Sequence, residues 1–520
     1  MRGGGSSLSF DIDYFYGDIR TSPNNSFNDI PNPTRSDRKT PGNGDLHNKQ
    51  QRLDVSLGYE ANVSENSKFD LKAFYHLNKI KYVDSVTGIN NYLYGGRFLF
   101  PLAEADQSGS LFDDQKIGLI AKYDLKHSNG RFILGYESVY QYGKRIMDQL
   151  IFADASSVPT NVNAFNFYIH PMLISLKSGK WSNALFAIEK YNFTESFSLT
   201  GGARYENAWY KADVSNSQNV LICAANITSQ VNCLTNPTQN IPIDAARNYN
   251  TTSNNFALEL TPSYQYSNDG NMYAKYERGF FSPSPNNLLT RQSSQYLLTN
   301  LKQETYDTFE LGLKDFWGES VSFSAALFYT LTHNEFYTIG NAHSASGVTY
   351  GNYDRTQRLG VELFSEQYLF NNILRLSESF TYIDASVLRN NGSKSDLKIP
   401  YVSNYKGTIG VELALGRSFS IWTQNTFMGK QKDVETFTTT GMGQSATSTS
   451  NGQKTIPAYS LTDIGLNAKF GDLSLSAGVR NVFDTFYYSY YNADSSDVIA
   501  GYGFLIGQGR SAFVEGRWTF

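Results

Sequence analysis

The chain closes on Ser511-Ala-Phe-Val-Glu-Gly-Arg-Trp-Thr-Phe520, in which two kinds of residue take turns. Ala512, Val514, Gly516, Trp518 and Phe520 fall on one face of an extended strand, and Phe513, Glu515, Arg517 and Thr519 on the other. The same period of two runs back to the beginning. Leu8, Phe10, Ile12, Tyr14 and Tyr16 alternate with Ser7, Ser9, Asp11 and Asp13. Leu53, Val55, Leu57 and Tyr59 interleave with Asp54, Ser56, Gly58 and Glu60, and Phe69, Leu71, Ala73, Tyr75 and Leu77 with Asp70, Lys72, His76 and Asn78. Ile464, Leu466, Ala468 and Phe470 lead through a tight turn into Leu473, Leu475, Ala477 and Val479. No helical period competes with this pattern. A sheet with one oily face and one wet face needs something to cover the oil. The sequence supplies no second layer, so lipid is the expected covering.

Composition agrees. The hydrophobic fraction is 40%, as expected when every second strand residue faces an aqueous lumen. No run of 18 or more apolar residues exists, which excludes helical membrane spans. Tyr 36 and Phe 35 dominate the aromatics, and amphipathic rings suit membrane–water interfaces. A formal charge of −4, from 44 basic and 48 acidic residues, argues against a nucleic-acid partner. Met1-Arg-Gly-Gly-Gly-Ser-Ser lacks the apolar region of a signal peptide, so the start reads as artificial or truncated. Cys223 and Cys233 share one polar segment. Either they close a short disulfide loop, worth roughly 3 kcal/mol by chain entropy, or they are two free thiols.

Connection lengths alternate as regularly as the side chains. Short turns are expected at 61–67, 126–130, 194–196, 267–270, 316–319, 370–372, 415–417 and 470–472. Long polar loops are expected at about 21–50, 80–115, 144–180, 211–253, 284–302, 336–353, 386–402, 432–455 and 489–508. This segregation is the mark of an outer-membrane barrel. The expected fold is all-β: one membrane-spanning antiparallel barrel over residues 1–520, with about 18 readable strands. The last strand runs toward the short-turn side, which places the C-terminus in the periplasm and the long loops outside the cell. Strands such as 196–210 exceed the ~9–11 residues that cross hydrocarbon and should project beyond it.

Several motifs then fall in an order that resembles TonB-dependent outer-membrane receptors. Gly202-Ala-Arg-Tyr-Glu206 resembles their G-x-R-Y-[DE] strand, and Tyr276-Glu-Arg-Gly-Phe-Phe-Ser-Pro283 their Y-x-R-G-F-x-x-P strand end. Leu301-Lys-Gln-Glu304 with Phe309-Glu-Leu-Gly-Leu-Lys314 is similar to L-K-P-E…E-x-G-x-K, with Gln303 in place of proline. Gly360-Val-Glu362, Ser379-Phe-Thr-Tyr-Ile-Asp-Ala385, Ile399-Pro400, Asn481-Val-Phe-Asp484 with Tyr487-Tyr488, and Gly509-Arg510 with Phe520 complete the series. The resemblance covers roughly residues 50–520. It implies the C-terminal part of a 22-stranded family barrel, with the signal peptide, plug domain, TonB box and first strands missing from this sequence.

The resemblance further implies a receptor and transporter for a ferric siderophore or similar iron chelate, reached by the TonB complex only through the missing plug and TonB box. A monomer in outer-membrane lipid is expected, with no cofactor. A passive diffusion pore and a haem receptor of the same family are the alternatives. The haem signature F-R-A-P…N-P-N-L meets Phe280-Phe-Ser-Pro283 and Leu298-Thr-Asn-Leu301 here. The six histidines show no metal-ligand spacing, and no nucleophile–base arrangement points to an enzyme. Arg204, Glu206, Arg278, Glu310, Lys314 and Glu362 alternate with apolar neighbours and are expected to face the lumen and a plug, or else to be hydrated wall charges. Ligand capture belongs to the long loops. The candidates are Tyr92, Tyr94, Arg97 and Phe98; Phe167, Tyr168 and His170; Arg291 and Tyr296; and Tyr337, His343, Tyr350 and Arg355. Aromatic faces beside arginine suit a bulky anionic chelate; loop packing or the interfacial girdle is the plainer reading of each.

Overall fold

The computed structural model describes residues 5–20, 35, 47–83, 97–98, 111–154, 165–224, 239–284, 289–292, 295–298, 301–318, 320–339, 349–440, 447–492 and 503–519. Alternation makes 18 wall strands. They are β1 (Ser6–Arg20), β2 (His47–Ser64), β3 (Ser67–Val83), β4 (Leu111–His127), β5 (Gly130–Asp154) and β6 (Phe165–Asn192). Then come β7 (Phe197–Ala224), β8 (Gln239–Gln265), β9 (Asn271–Phe281), β10 (Glu304–Trp317), β11 (Val321–Ile339) and β12 (Thr349–Leu369). The last six are β13 (Leu374–Asn390), β14 (Tyr405–Leu415), β15 (Phe419–Met428), β16 (Tyr459–Phe470), β17 (Leu473–Arg480) and β18 (Ser511–Trp518). Each pairs antiparallel with the next in sequence. Arg97–Phe98 and Ser393–Lys394 add two short strands to this sheet. Among the described pairings none joins β1 to β18.

The short turns fall where expected. Residues 65–66, 128–129, 193–196, 266–270, 318 and 320, 370–373, 416–418 and 471–472 lie in them, on one end of the sheet. Gly318, Gly416 and Gly471 take positive φ there, a conformation that costs glycine little. β18 runs toward this end, and Thr519 N donates to Asp472 O at 3.0 Å.

The opposite end departs from a simple loop picture. Residues 211–224 and 239–253 are continuations of β7 and β8, paired out to Ile222 and Gln239. β6 and β7 each reach 28 residues. Three hairpins also stand there, Leu289–Gln292 with Leu298–Gln295, Gln431–Thr440 with Thr447–Ile456, and Tyr488–Asn492 with Gly503–Ile506. Polar, Asn- and Ser-rich sequence suggested loops, but alternation persists through it and the ladder continues. Cys223 lies in the β7 extension, and Cys233 falls outside the described residues.

The two faces separate cleanly. Leu57, Ile117, Leu134, Leu185, Leu311, Leu327, Leu363, Ile409, Ile421 and Leu466 are all exposed on one of them. Aromatic rings bound this band. Phe193, Phe197, Tyr264, Trp317, Phe370, Phe470 and Trp518 lie toward the short turns, and Tyr136, Tyr140, Trp181, Tyr205 and Trp209 toward the long connections. The upper rings find polar partners: Trp181 Nε1 donates to Ser138 Oγ at 3.0 Å and Tyr136 Oη to Asn183 Oδ1 at 2.7 Å. An exposed apolar band flanked by two aromatic girdles is the exterior of a membrane barrel. The other face carries the charges.

Candidate functional site: the polar wall and its rim

β7 places Arg204 and Glu206 on the polar face, with Tyr205 between them on the apolar one. Glu206 is buried and accepts from Lys180 Nζ at 3.3 Å, Arg204 Nη2 at 3.2 Å and Asn255 Nδ2 at 3.1 Å. Arg204 Nη2 also reaches Glu137 Oε1 at 3.2 Å, and Asn255 Nδ2 donates to Ser282 Oγ at 2.9 Å. Lys180 sits over the Tyr210 ring, 5.7 Å from its centroid. Two carboxylates thus balance two cations across β5, β6 and β7, and charge-assisted bonds hold them. The Tyr210 hydroxyl and Asn255 Oδ1 are buried beside this network without a hydrogen-bond partner among the described residues.

Aromatic rings on the same face lie across glycines of the adjacent strand. Tyr273 covers Gly312, Tyr306 covers Gly279 and Phe328 covers Gly360. A Cβ at Gly312 would stand 2.1 Å from Cζ of Tyr273. Each ring fills the space its glycine leaves and pins the register, a known device of curved sheets. The hydroxyls then order acids: Tyr273 donates to Glu310 Oε1 at 2.6 Å and Tyr306 to Glu277 Oε1 at 3.1 Å. The glycines of the G-x-K and G-x-E segments are therefore packing sites, whereas Gly202 meets only ordinary contacts.

A second cluster forms at the rim. Asn334 takes a left-handed φ of 56°. The turn brings Thr332 and Glu335, three residues apart, to buried positions on the polar side. Arg358 grips Glu335 with Nη1 on Oε2 at 2.9 Å and Nη2 on Oε1 at 2.6 Å, and the Thr356 hydroxyl donates to Oε2. Beside them the Tyr337 and Tyr353 rings stack with centroids 4.1 Å apart and planes 11° from parallel. Tyr353 packs on Ala385, Val387 and Ile399. Sequence reading did not single out Glu335, Thr356 or Arg358. Strict alternation puts Glu335 on the wrong face, and only the tolerance of asparagine for left-handed φ hinted otherwise.

Of the six expected wall charges, Arg204, Glu206, Glu310, Lys314 and Glu362 do lie on the polar face. No described residue makes an ion pair or hydrogen bond to Lys314 or Glu362. Arg278 is a correction. It stands opposite Leu258 and Asp307 on the apolar face, paired with Asp307 Oδ1 at 3.2 Å. Above the oily band the outer face turns polar, so a charge between apolar neighbours no longer reports the lumen. Lys275 and Glu277 are the inward charges of that strand.

The loop candidates divide. Tyr92, Tyr94 and His343 lie outside the described residues. Arg97 pairs with Ile151, which pairs in turn with His170, so two candidate groups separated in sequence share one cross-strand row. Phe98 neighbours Leu150, and Phe167 and Tyr168 oppose Asp154 and Ala153. Arg291 and Tyr296 face each other in their hairpin. Tyr337 and Tyr350 sit on the paired rim strands β11 and β12, at Gly351 and Thr338 respectively. Arg355 is exposed where the register slips between Arg355 and Thr356.

An oily exterior with aromatic girdles, a charged interior wall and segregated connections define an outer-membrane β-barrel. Residues 2–482 match the family model described as TonB dependent receptor-like, beta-barrel, and the chain belongs to that family. Solved structures agree on the fold. The siderophore receptor PiuA from Acinetobacter baumannii is 16% identical at a TM-score of 0.63, with 98% of this chain and 71% of that one covered. The ferric-catecholate import receptor Fiu from E. coli K12, in its closed form, is 16% identical at 0.63, covering 99% and 72%. The ferric citrate transporter FecA, unliganded, is 18% identical at 0.63, covering 99% and 68%. No curated protein sequence matches the chain.

Proposed function

We infer that this chain is the barrel of a receptor that takes up a ferric siderophore or similar iron chelate across a Gram-negative outer membrane. The long-connection end faces the outside and the short turns the periplasm, and the barrel works as a monomer. The observation that carries the reading is the polar wall. Its Glu137–Lys180–Arg204–Glu206 network, with the Tyr210 hydroxyl, Asn255 Oδ1, Lys314 and Glu362 that no described residue hydrogen-bonds or ion-pairs, forms a surface suited to a folded polar partner inside the lumen. A plug is that partner, and the TonB complex acts through it. The iron chelate is supported by the siderophore, ferric-catecholate and ferric citrate names of the structural neighbours. At the rim, exposed Arg355 suits a bulky anion by charge, and Tyr337, stacked on the buried Tyr353 ring, stands on the strand beside it.

The test is uptake of radiolabelled ferric catecholate, ferric citrate and haem by iron-starved cells that lack their own receptors and express the gene. Saturable uptake of one chelate, abolished when the TonB complex is deleted, is expected. Large steady conductance in planar bilayers, with solute flux indifferent to TonB, would identify a passive pore instead.

A further inference from the structure

A carboxylate on β13 faces hydrocarbon. From the short turn upward, one side of this strand reads Leu374, Leu376, Glu378, Phe380, Tyr382. Phe380 and Tyr382 are exposed on the apolar face. Arg375 points the other way, into a clamp with Glu366 and Glu412. The neighbouring strands agree: Glu378 stands directly opposite Ser365 on β12 and Ile409 on β14, and Ile409 is exposed in the oily band. Leu363 and Phe380 form the cross-strand pair above it, and Gln367 and Leu376 the pair below.

Two other outward acids, Asp315 and Asp384, stand at the edges of the band and find partners there. Asp315 accepts from Tyr266 Oη at 2.6 Å and Trp317 Nε1 at 2.8 Å, and Asp384 pairs with Lys398. Glu378 instead has apolar neighbours on its strand both above and below. A charge there is costly, and an ionisable group kept in lipid calls for a partner. Its own chain supplies part of one. Gln367 Nε2 donates to Glu378 Oε2 at 2.8 Å and to Ser365 Oγ, which uses both amide hydrogens. Glu378 Oε1 and the Gln367 carbonyl oxygen then accept from no described residue, and no described residue accepts the Ser365 hydroxyl hydrogen. A donor and an acceptor thus stand side by side on adjacent strands, and such a pair is complementary to itself. About a two-fold axis along the membrane normal, Ser365 of one chain meets Glu378 of the other, and symmetry forms the reverse contact.

We propose that the outer face of β12–β14 is a contact surface for a second copy of this chain, side by side in the membrane, with Ser365 and Glu378 exchanging hydrogen bonds across the axis. Leu363, Leu376, Phe380 and Ile409 surround this polar centre and pack against their counterparts, which takes both carboxylates out of lipid. A phospholipid ammonium would bring donors only and leave the Ser365 hydrogen unused, so the donor–acceptor set favours a second copy. The inference rests on the membrane placement proposed above. Each barrel keeps its own lumen and works alone; the pairing decides only what stands beside it.

The full chain, with Cys223→Ser and Cys233→Ser so that no native thiol takes part, is folded into phosphatidylcholine vesicles at a low protein-to-lipid ratio. A single cysteine is placed at Leu376 beside the cluster or at Leu466 on the remote apolar face of β16. Oxidation by copper phenanthroline traps neighbours, and non-reducing electrophoresis reads the covalent dimer. Leu376→Cys should give at least tenfold more dimer than Leu466→Cys. Adding Glu378→Leu should cut the Leu376→Cys dimer at least fivefold, and so should Ser365→Val, which leaves the carboxylate in place. Glu378→Gln, which keeps an acceptor oxygen, should retain at least half of it. Equal dimer at the two positions, or a Leu376→Cys dimer that survives both Glu378→Leu and Ser365→Val, overturns the pairing. Entry into the bilayer is read separately, for every variant, by heat-modifiable electrophoretic mobility. A chain that never enters overturns the membrane placement and the pairing together, whereas entry without a Leu376→Cys dimer overturns the pairing alone.

Discussion

Arg358 meets Glu335 fork to fork, with nitrogen–oxygen distances of 2.9 and 2.6 Å, on a rim where Glu335 is almost wholly out of solvent. Removing one member of such a pair leaves the other charged and unsolvated. Arg358→Ala should lower the unfolding free energy by about 3–5 kcal/mol. Arg358→Lys should recover only part of it, since an ammonium cannot span both oxygens. Urea unfolding in vesicles, followed by Trp fluorescence, measures both. Equal stability of Arg358→Ala and wild type would dismiss the pair as a structural element.

Gly312 and Tyr273 form one packing unit across β9 and β10. Gly312→Val should destabilise by about 1–3 kcal/mol through overpacking. In a Tyr273→Ser background the same substitution should cost markedly less. The coupling of the double-mutant cycle is the readout, and additive effects would show that the ring does not need the glycine's space.

Leu466 and Ser476 lie on adjacent strands and opposite faces. Leu466→Arg puts a charge against hydrocarbon and should cost ~2–4 kcal/mol near the middle of the bilayer. Ser476→Arg points inward, directly opposite Glu515, and should be close to neutral. Unfolding midpoints in vesicles compare them. A similar penalty for both would mean that lipid does not cover the Leu466 face.

Glu206 gathers Lys180, Arg204 and Asn255. Glu206→Ala takes an acceptor from two half-buried cations, Lys180 and Arg204, and should loosen any plug seated on this wall. Bilayer conductance of the plug-bearing protein should rise several-fold, while Arg278→Ala, on the outer face, leaves it unchanged. Equal effects of the two would argue against a plug-facing role for the network.

Much of this was legible in the sequence, for a physical reason. A wall one residue thick writes its two faces directly into odd and even positions. Ala512, Val514, Gly516 and Trp518 therefore landed together on the apolar side with Leu473, Leu475, Ala477 and Val479. Turn positions followed from glycine and polar clusters, as at Gly471. Alternation fails in two circumstances. A residue in left-handed φ shifts the parity, which hid Glu335 behind Asn334. Beyond the oily band the outer face is itself polar, which turned Arg278 the wrong way. Pairing between distant segments, such as Arg97 with Ile151 and Ile151 with His170, depends on register that composition does not encode.

β1 offers 15 residues and β18 only 8 along their unshared flanks. Zipping of one onto the other from the short-turn end would leave Tyr14–Arg20 of β1 without partners, above the row that runs through Ile12 to Trp181 and Trp209. A strand border without a partner is a template for any stray extended segment, so these 520 residues, produced alone and in bulk, should collect in inclusion bodies.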